Sequence, residues 1–218
     1  MDVITFKCRA VLIDLDGTLV DSAPRILRVW KGWSARNGID FGEIVAVMHG
    51  RRSLDTIRIV APWLPAEREV AALEAEEISD MQDVRIYPGA AELFSRLDGS
   101  PHAIVTSGSR LAAEARLKHV GLPIPAVLIT ADEIAAGKPA PDGYLLAARR
   151  LGIDPRACVV LEDSPVGVEA GRSAGMHVIG VASTHAPEEL QQADAVIDAL
   201  TSIELRTGSN LIELDLRR

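Results

Sequence analysis

Short apolar runs recur along most of the chain, and amphipathic stretches separate them. Six of these runs have the length of buried strands. They are Ala10–Ile13, Ala103–Thr106, Ala126–Ile129, Cys158–Leu161, His177–Val181 and, as an edge strand, Ala195–Ile197. Helical spacing occurs between them at Ala90–Leu97, Leu111–Val120, Gly143–Leu151 and Val166–Ala174. Strands that alternate with helices are typical of a parallel sheet, so the pattern predicts a doubly wound, Rossmann-like α/β core.

The stretch between residues 21 and 84 interrupts this alternation. It contains no convincing strand, and four of its segments have helical spacing. These segments are Pro24–Asn37, Phe41–Met48, Ser53–Ala61 and Ala66–Asp80. We therefore expect a helical insert (residues 21–84) directly after the first strand of a core that comprises residues 1–20 and 85–218.

The C-terminal stretch has a different pattern. Ile203–Leu205 and Leu211–Leu216 alternate in polarity on either side of the turn residues 207–210, which read Thr-Gly-Ser-Asn. This arrangement predicts a terminal β-hairpin.

Composition and charge narrow the classes of partner. Hydrophobic residues make up 48% of the 218-residue chain and charged residues 25%, as in ordinary globular proteins. The net charge of -8, without a cluster of Lys and Arg, excludes a nucleic-acid partner. No apolar run has the length of a membrane span, and Cys8 and Cys158 adjoin apolar stretches that predict buried thiols. We expect a cytoplasmic protein, with no membrane or protein partner implied.

Two acids, Asp14 and Asp16, follow the first strand candidate, and Gly17 comes directly after them. On an extended backbone this spacing points both carboxylates to one side, where they repel each other unless a cation lies nearby. Magnesium takes hard oxygen ligands of this kind, so the motif predicts a magnesium site. An EF-hand is excluded because its glycine is the sixth residue of the loop, and a solvated turn is the alternative for this motif alone.

A hydroxyl-rich run ends the next strand candidate. Thr106, Ser107 and Gly108 stand there, directly before a helix. A side-chain hydroxyl and backbone N–H groups at such a place can hold a phosphoryl oxygen together. The alternative is a serine that only caps the helix.

Two further motifs carry charge. Lys138 lies between Gly137 and Pro139, in a stiff loop that can present it as a fixed cation, although a lone loop lysine is usually solvated. Glu162 and Asp163 follow the strand candidate Cys158–Leu161. The carboxyl ends of parallel strands are where ligands bind in open α/β sheets, so these acids are further site candidates.

Taken in order, the four motifs resemble those of the haloacid dehalogenase-like hydrolases. They read Asp-x-Asp-Gly-Thr at 14–18, Thr-Ser-Gly at 106–108, Gly-Lys-Pro-x-Pro-Asp at 137–142 and Glu-Asp-Ser-Pro-x-Gly at 162–167. The helical insert is similar to the small cap of the first type (C1) in that superfamily. Trp30-x-x-Trp33 and the run from His49 to Arg52 look closest to its sugar-phosphatase and glycerol-phosphatase branch, which is β-phosphoglucomutase-like.

The resemblance implies a magnesium-dependent phosphatase that acts on a small phosphorylated metabolite, a sugar or polyol phosphate. Asp14 would attack phosphorus and form an aspartyl phosphate. Asp16 would protonate the departing alcohol and later take a proton from water. Asp14, the main-chain carbonyl of Asp16 and Asp163 would bind Mg²⁺, with Glu162 as a further ligand or just outside the ligand set.

The resemblance also implies which groups hold the substrate. Lys138 and Ser107 would contact the phosphoryl oxygens, with Gly108 in the same loop and Thr106 as the alternative hydroxyl. In the insert, His49, Arg51 and Arg52 are candidates for contact with the leaving group, since Arg donates several hydrogen bonds. A structural histidine and a solvated basic pair are the alternatives at these positions. Trp30 and Trp33, three residues apart, predict the apolar face that packs the insert together.

Two rival functions share some of these features. A β-phosphoglucomutase-type phosphomutase resembles this chain in all four motifs, but it carries a histidine at the position of Ile26 and Asp-Gly-Val where this chain has Asp-Gly-Thr. A non-catalytic protein that binds phosphorylated ligands needs no nucleophile and acid together. The differences at Ile26 and Thr18 favour a hydrolase over a phosphomutase. The presence of both Asp14 and Asp16 favours a hydrolase over a binding protein.

Overall fold

Eleven strands and eight α-helices follow one another in the computed structural model, which describes residues 3–208 and 211–217. The strands are β1 (Val3–Cys8), β2 (Ala10–Ile13), β3 (Val20–Asp21), β4 (Arg85–Ile86), β5 (His102–Val105), β6 (Leu128–Ile129), β7 (Cys158–Glu162), β8 (His177–Val181), β9 (Ala195–Ile197), β10 (Ile203–Thr207) and β11 (Ile212–Arg217). The helices are α1 (Ala23–Asn37), α2 (Phe41–Met48), α3 (Ser53–Val60), α4 (Ala66–Ser79), α5 (Ala90–Leu97), α6 (Arg110–Val120), α7 (Asp142–Leu151) and α8 (Pro165–Ser173).

Six strands form a parallel sheet in the spatial order β6–β5–β2–β7–β8–β9. Strand β2 lies inside it, with Ile13 opposite Ile104 of β5 on one side and Leu161 of β7 on the other. The sheet with its flanking helices confirms the predicted doubly wound core. Because β5 and β7 lie on opposite sides of β2, the carboxyl end of β2 is the switch point of the sheet, where ligands bind in such folds.

Alternation along β2 distributes its side chains between two buried layers. Val11 and Ile13 pack with side chains of α5 and α6, whereas Ala10 and Leu12 pack with side chains of α7 and α8. All four are fully buried. Burial on both faces explains why the sequence is a continuous apolar run at this point.

A second, antiparallel sheet covers part of the core. The predicted hairpin strands are confirmed as β10 and β11, and β11 also pairs with β1, from Val3 opposite Arg217 to Cys8 opposite Ile212. Strand β1 was not predicted because its side chains alternate between exposed and half-buried, so it lacks an apolar run. Ser209 and Asn210 of the predicted turn lie outside the described residues.

Helices α1 to α4 lie between the short strands β3 and β4, which pair antiparallel. They confirm the four predicted helical segments to within one residue at each end. The helices share a hydrophobic cluster that includes Trp30, Trp33, Ile57 and Leu73. The rings of Trp30 and Trp33 are 5.3 Å apart and nearly perpendicular, which confirms their packing role. In the described part of the chain, no helix has the length and apolarity to cross a bilayer.

Candidate active site

The carboxyl ends of β2 and β7 bring three acids together. The backbone N–H of Asp14 donates to Leu161 O at 3.0 Å, which fixes the two strand ends side by side. Side-chain oxygens of Asp14, Glu162 and Asp163 lie within 4.8 Å of one another, and all three residues are buried. Motifs that stand almost 150 residues apart in the sequence therefore form one cluster.

Lys138 is buried against this cluster. Its Nζ lies 2.5 Å from Asp14 Oδ1 and 2.5 Å from Glu162 Oε1. Although burial by itself lowers the pKa of a lysine, these two carboxylates raise the pKa of Lys138 well above its usual value. Lys138 is thus a fixed ammonium group, and the alternative of a solvated lysine is wrong.

Glu162 is held by protein donors on both of its oxygens. Its Oε1 accepts from Lys138 and from the Tyr144 hydroxyl at 3.2 Å. Its Oε2 accepts from the backbone N–H of Ser164 at 2.9 Å and from the Ser164 hydroxyl at 3.0 Å. These contacts make Glu162 a support that positions Lys138.

The cluster is short of positive charge, since three buried carboxylates face one ammonium. Burial, together with the neighbouring Glu162 and Asp163, raises the pKa of Asp14 well above its usual value against the opposing effect of Lys138. Burial and the charge of Glu162 raise the pKa of Asp163 to about 7. A divalent cation fits here because hard carboxylate oxygens are its preferred ligands and its charge offsets their repulsion.

Glycines allow the close approach of the chain to these acids. A Cβ built on Gly17 would lie 2.1 Å from Asp163 Oδ2, and Gly17 also has a φ of 97°, which side chains rarely adopt. A Cβ on Gly167 would lie 1.8 Å from Glu162 Oε1. The glycines of the first and fourth motifs are therefore required by contact with the acids.

Asp16 lies beside the cluster and receives three donors. The Ser22 hydroxyl donates to its Oδ1 at 2.7 Å, whereas the Thr106 hydroxyl and Arg116 Nη1 donate to its Oδ2 at 3.2 Å and 3.0 Å. Arg116 was missed in the sequence. Its only signal is its place on the apolar face of α6, beside the buried Ala113 and Leu117.

The two candidate hydroxyls of the second motif point to different neighbours. Thr106 Oγ1 donates to Asp16 and accepts from the backbone N–H of Gly108 at 3.0 Å. Ser107 Oγ donates to the carbonyl oxygen of Gly50, in the helical insert, at 2.7 Å. The Thr106 hydroxyl thus bonds only to groups of the core in the described structure, while the Ser107 hydroxyl joins the core to the insert.

A cleft with about 860 Å³ of empty space, partly continuous with solvent, opens above these groups. The core side of the cleft is lined by Asp14, Asp16, Asp163 and the loop 106–109. The helical insert lines the opposite side. The wall residues that carry polar side chains include His49, Arg51, Ser53, Thr56, Glu74 and Glu77. Burial and the nearby His185 lower the pKa of His49 against the opposing effect of Glu189, and this favours the neutral imidazole.

The structure brings Arg51 to the cleft but not Arg52. The Arg52 guanidinium pairs with both oxygens of Asp55, at 2.7 Å and 2.9 Å, and donates to the carbonyls of Ile134 and Ala135 at 3.1 Å and 3.2 Å. Successive residues at the start of a helix do not face the same way, which explains why the Arg51 and Arg52 side chains have different surroundings. Arg52 joins the insert to the loop before Lys138 and does not face a bound substrate.

Comparisons with known proteins agree on the family and on the fold. The sequence model of the haloacid dehalogenase-like hydrolases matches residues 8–175. Hexitol phosphatase A of Escherichia coli is 41% identical over 210 residues, which is 94% of this chain and 97% of that protein. Glycerol-1-phosphate phosphohydrolase 2 of Saccharomyces cerevisiae is 34% identical over 97% of this chain and 90% of its own. A hydrolase from Pseudomonas syringae superposes with a TM-score of 0.81 at 25% identity, over 88% of this chain and 94% of that one.

Proposed function

The chain belongs to the haloacid dehalogenase-like hydrolases, and we propose that it hydrolyses sugar or polyol monophosphates with the help of Mg²⁺. The observation that carries this proposal is the buried contact of Asp14 with Lys138, beside Glu162 and Asp163 and under an open cleft. The similarity to a hexitol phosphatase and to a glycerol-1-phosphate phosphohydrolase supports the substrate class. Both cysteines are free and buried, which fits the cytoplasm as the compartment.

The first half of the reaction transfers the phosphoryl group to the protein. A carboxylate oxygen of Asp14 donates its electron pair to phosphorus while the bond from phosphorus to the alcohol oxygen breaks. Asp16, in its protonated form, gives its proton to that oxygen, so a neutral alcohol leaves. The products of this half are an aspartyl phosphate on Asp14 and an Asp16 carboxylate.

The second half restores Asp14. A water molecule attacks phosphorus and the bond to the Asp14 oxygen breaks, while the Asp16 carboxylate takes the proton of the water. Inorganic phosphate leaves, and Asp14 is again a carboxylate. The contacts of Asp16 with Ser22, Thr106 and Arg116 hold it for both proton transfers.

Two groups hold the phosphoryl oxygens in this proposal, and a third supports the loop between them. Lys138 supplies a fixed positive charge beside Asp14. Between the two hydroxyls, the contacts favour Thr106, because it lies against Asp16 in the core, whereas Ser107 is engaged with the insert. Gly108 keeps the loop close through its N–H bond to Thr106.

Asp14, Asp163 and the main-chain carbonyl of Asp16 are the proposed Mg²⁺ ligands, and Glu162 positions Lys138. A cation held there would supply positive charge between the carboxylate and the phosphate, which would let the two anions approach each other. The surplus of buried carboxylates in the described cluster supports this choice.

Residues 21–84 act as a lid over the cleft. Closure excludes bulk water and brings His49 and Arg51 to the leaving group, the usual role of such lids. Ile26 lines the cleft. By the resemblance described above, a phosphomutase would carry a histidine at this position, so that side chain is not present to support transfer of the phosphoryl group to a second substrate hydroxyl. Water is then the acceptor.

Phosphate release from a panel of hexitol, glycerol, hexose and nucleotide monophosphates tests the proposal. We expect release from polyol or sugar phosphates with Mg²⁺, no release with a chelator, and no release by the Asp14→Asn variant. Absence of release from the whole panel, or an Asp14→Asn variant as active as the wild type, would contradict it. A phosphomutase would convert a sugar phosphate to its isomer and release no phosphate.

A further inference from the structure

Arg116 connects the proposed acid to the helical insert. It lies on α6 with only 4% of its surface exposed. Its Nη1 donates to Asp16 Oδ2 at 3.0 Å, and its Nη2 donates to Glu77 Oε2 at 2.5 Å. Glu77 is on α4, so one buried guanidinium spans the boundary between core and insert.

The guanidinium of Arg116 is shared between the two carboxylates. Burial alone would lower the pKa of Arg116, but Asp16 and Glu77 raise it above its usual value, so the guanidinium stays charged. Its two terminal nitrogens point in fixed directions, one toward each carboxylate. The other two donors to Asp16, Ser22 and Thr106, are neutral hydroxyls. Arg116 is thus the charged contact that Asp16 makes in the described structure.

A buried ion pair is by itself weak evidence for a stabilising role. A buried ion pair costs desolvation energy that its attraction repays only in part, and apolar residues of similar volume often replace such pairs without loss. Arg116 also lies next to the hydroxyl loop, since a Cβ built on Gly108 would be 3.3 Å from its Nη1. Arg116 lines the cleft and contacts Asp16, which favours a role in the reaction.

We propose that Arg116 is a positioning residue that sets the Asp16 carboxyl group toward the leaving oxygen and, through Glu77, makes this placement depend on the position of the helical insert. The inference rests on the proposed function, because it assumes that Asp16 protonates the leaving group. Arg116 itself touches no reacting atom in this scheme.

The leaving group separates positioning from general structural support. An alkoxide, as from glycerol phosphate, is a poor leaving group and needs the proton of Asp16 as the bond to phosphorus breaks. The aryl oxide of p-nitrophenyl phosphate is stable without that proton. A misplaced Asp16 therefore lowers kcat/KM for the alkyl ester much more than for the aryl ester, whereas a distorted site lowers both alike.

The test measures kcat/KM on both esters for Arg116→Met, Glu77→Gln and the double variant that combines these two substitutions. General acid catalysis contributes about 10²–10⁴ in rate, so we expect Arg116→Met to lose at least about 30-fold on the alkyl ester and less than about 3-fold on the aryl ester. Glu77→Gln should show the same selectivity at about 5-fold. The control is Arg110→Met on the same helix, because Arg110 pairs with Glu114 and Glu133 away from the cleft.

The double variant tests the link to the insert and removes the Glu77 carboxylate together with its guanidinium partner. If Glu77 acts through Arg116, the double variant loses no more than Arg116→Met alone, since the effects of coupled residues are not additive. Equal losses on both esters would overturn the positioning role, and independent losses from Glu77 and Arg116 would overturn the link. Either result leaves the proposed function standing, whereas an active Asp14→Asn variant would remove that function itself.

Discussion

Two groups of buried charges meet at the cleft, and they differ in how they are built. The core group, Asp14, Lys138, Glu162 and Asp163, comes from loops at the ends of strands in one sheet. The bridging group, Asp16, Arg116 and Glu77, joins that sheet to a helix of the insert. The first holds one ammonium against three carboxylates and needs a further cation, whereas the second shares one guanidinium between two carboxylates and depends on two parts of the chain staying together. In the proposal, the core group supplies the nucleophile and the cation site, whereas the bridging group holds the acid that transfers protons.

Removal of the Lys138 ammonium is the most severe test of the core group. Lys138→Met leaves Asp14 and Glu162 buried without their cation, which costs about 3–5 kcal/mol when one partner of a buried pair is lost. We expect a loss of phosphatase activity of at least about 10³-fold, since the positive charge that stabilises the transferring phosphoryl group is also lost. Thermal melts without Mg²⁺ and phosphate release measure the two effects. Lys118→Met, at an exposed position of α6, is the control, and equal behaviour of the two variants would contradict the role of Lys138.

A methyl group at Gly17 tests whether the core group depends on close backbone contact. In Gly17→Ala the new Cβ meets Asp163 Oδ2, so we expect a loss of at least about 10²-fold in activity through displacement of that acid. Gly121→Ala is a matched control, because Gly121 also has a positive φ, of 75°, but no atom within 4 Å of the added Cβ. It should lose about 1 kcal/mol of stability and keep its activity. Comparable activity of the two variants would show that the contact with Asp163 is unimportant.

Magnesium should stabilise the core group measurably. A ligand at 100 times its Kd adds about 2.7 kcal/mol to the free energy of unfolding, so the melting temperature should rise with added Mg²⁺ and fall with a chelator. Asp163→Asn should abolish this rise, whereas Asp98→Asn, at an exposed acid after α5, should keep it. A rise that persists in Asp163→Asn would place the cation elsewhere.

The boundary offers a smaller but sharper comparison between adjacent arginines. Arg51 lines the cleft, so Arg51→Ala should lower kcat/KM for a polyol phosphate by about 10-fold and leave p-nitrophenyl phosphate nearly unaffected. Arg52 pairs with Asp55 and two core carbonyls, so Arg52→Ala should lower the melting temperature and affect both substrates alike. Selectivity in Arg52→Ala and none in Arg51→Ala would reverse this assignment.

The core group could be predicted from the sequence because its geometry follows from local rules. Each acid or hydroxyl of a motif directly follows an apolar strand, and parallel strands end at one edge of the sheet. The sequence pattern therefore predicts that Asp14 and Asp163 lie at the same edge of the sheet. The helices of the insert were predicted for a similar reason, since their apolar spacing is strong around Trp30 and Trp33.

The boundary could not be predicted in the same way. Arg116 and Glu77 stand 39 residues apart on different helices, and no local pattern relates them. Arg51 and Arg52 look equivalent in the sequence, and only the orientation of α3 separates them. Strand β1 was missed because a half-exposed edge strand owes its place to pairing with β11 and not to its own apolar content.

The most direct test of the account is to find the phosphoryl group on the protein during turnover. The wild-type protein would be mixed with Mg²⁺ and a polyol phosphate that is labelled in its phosphoryl group. The reaction would be quenched with acid within one turnover, and the position of the label would be mapped among the peptides of the protein. We predict that the label is found on the peptide that contains Asp14, and that the Asp14→Asn variant carries none. Continued phosphate release with no label on that peptide, or a label on a different side chain, would contradict the central claim that Asp14 is the nucleophile.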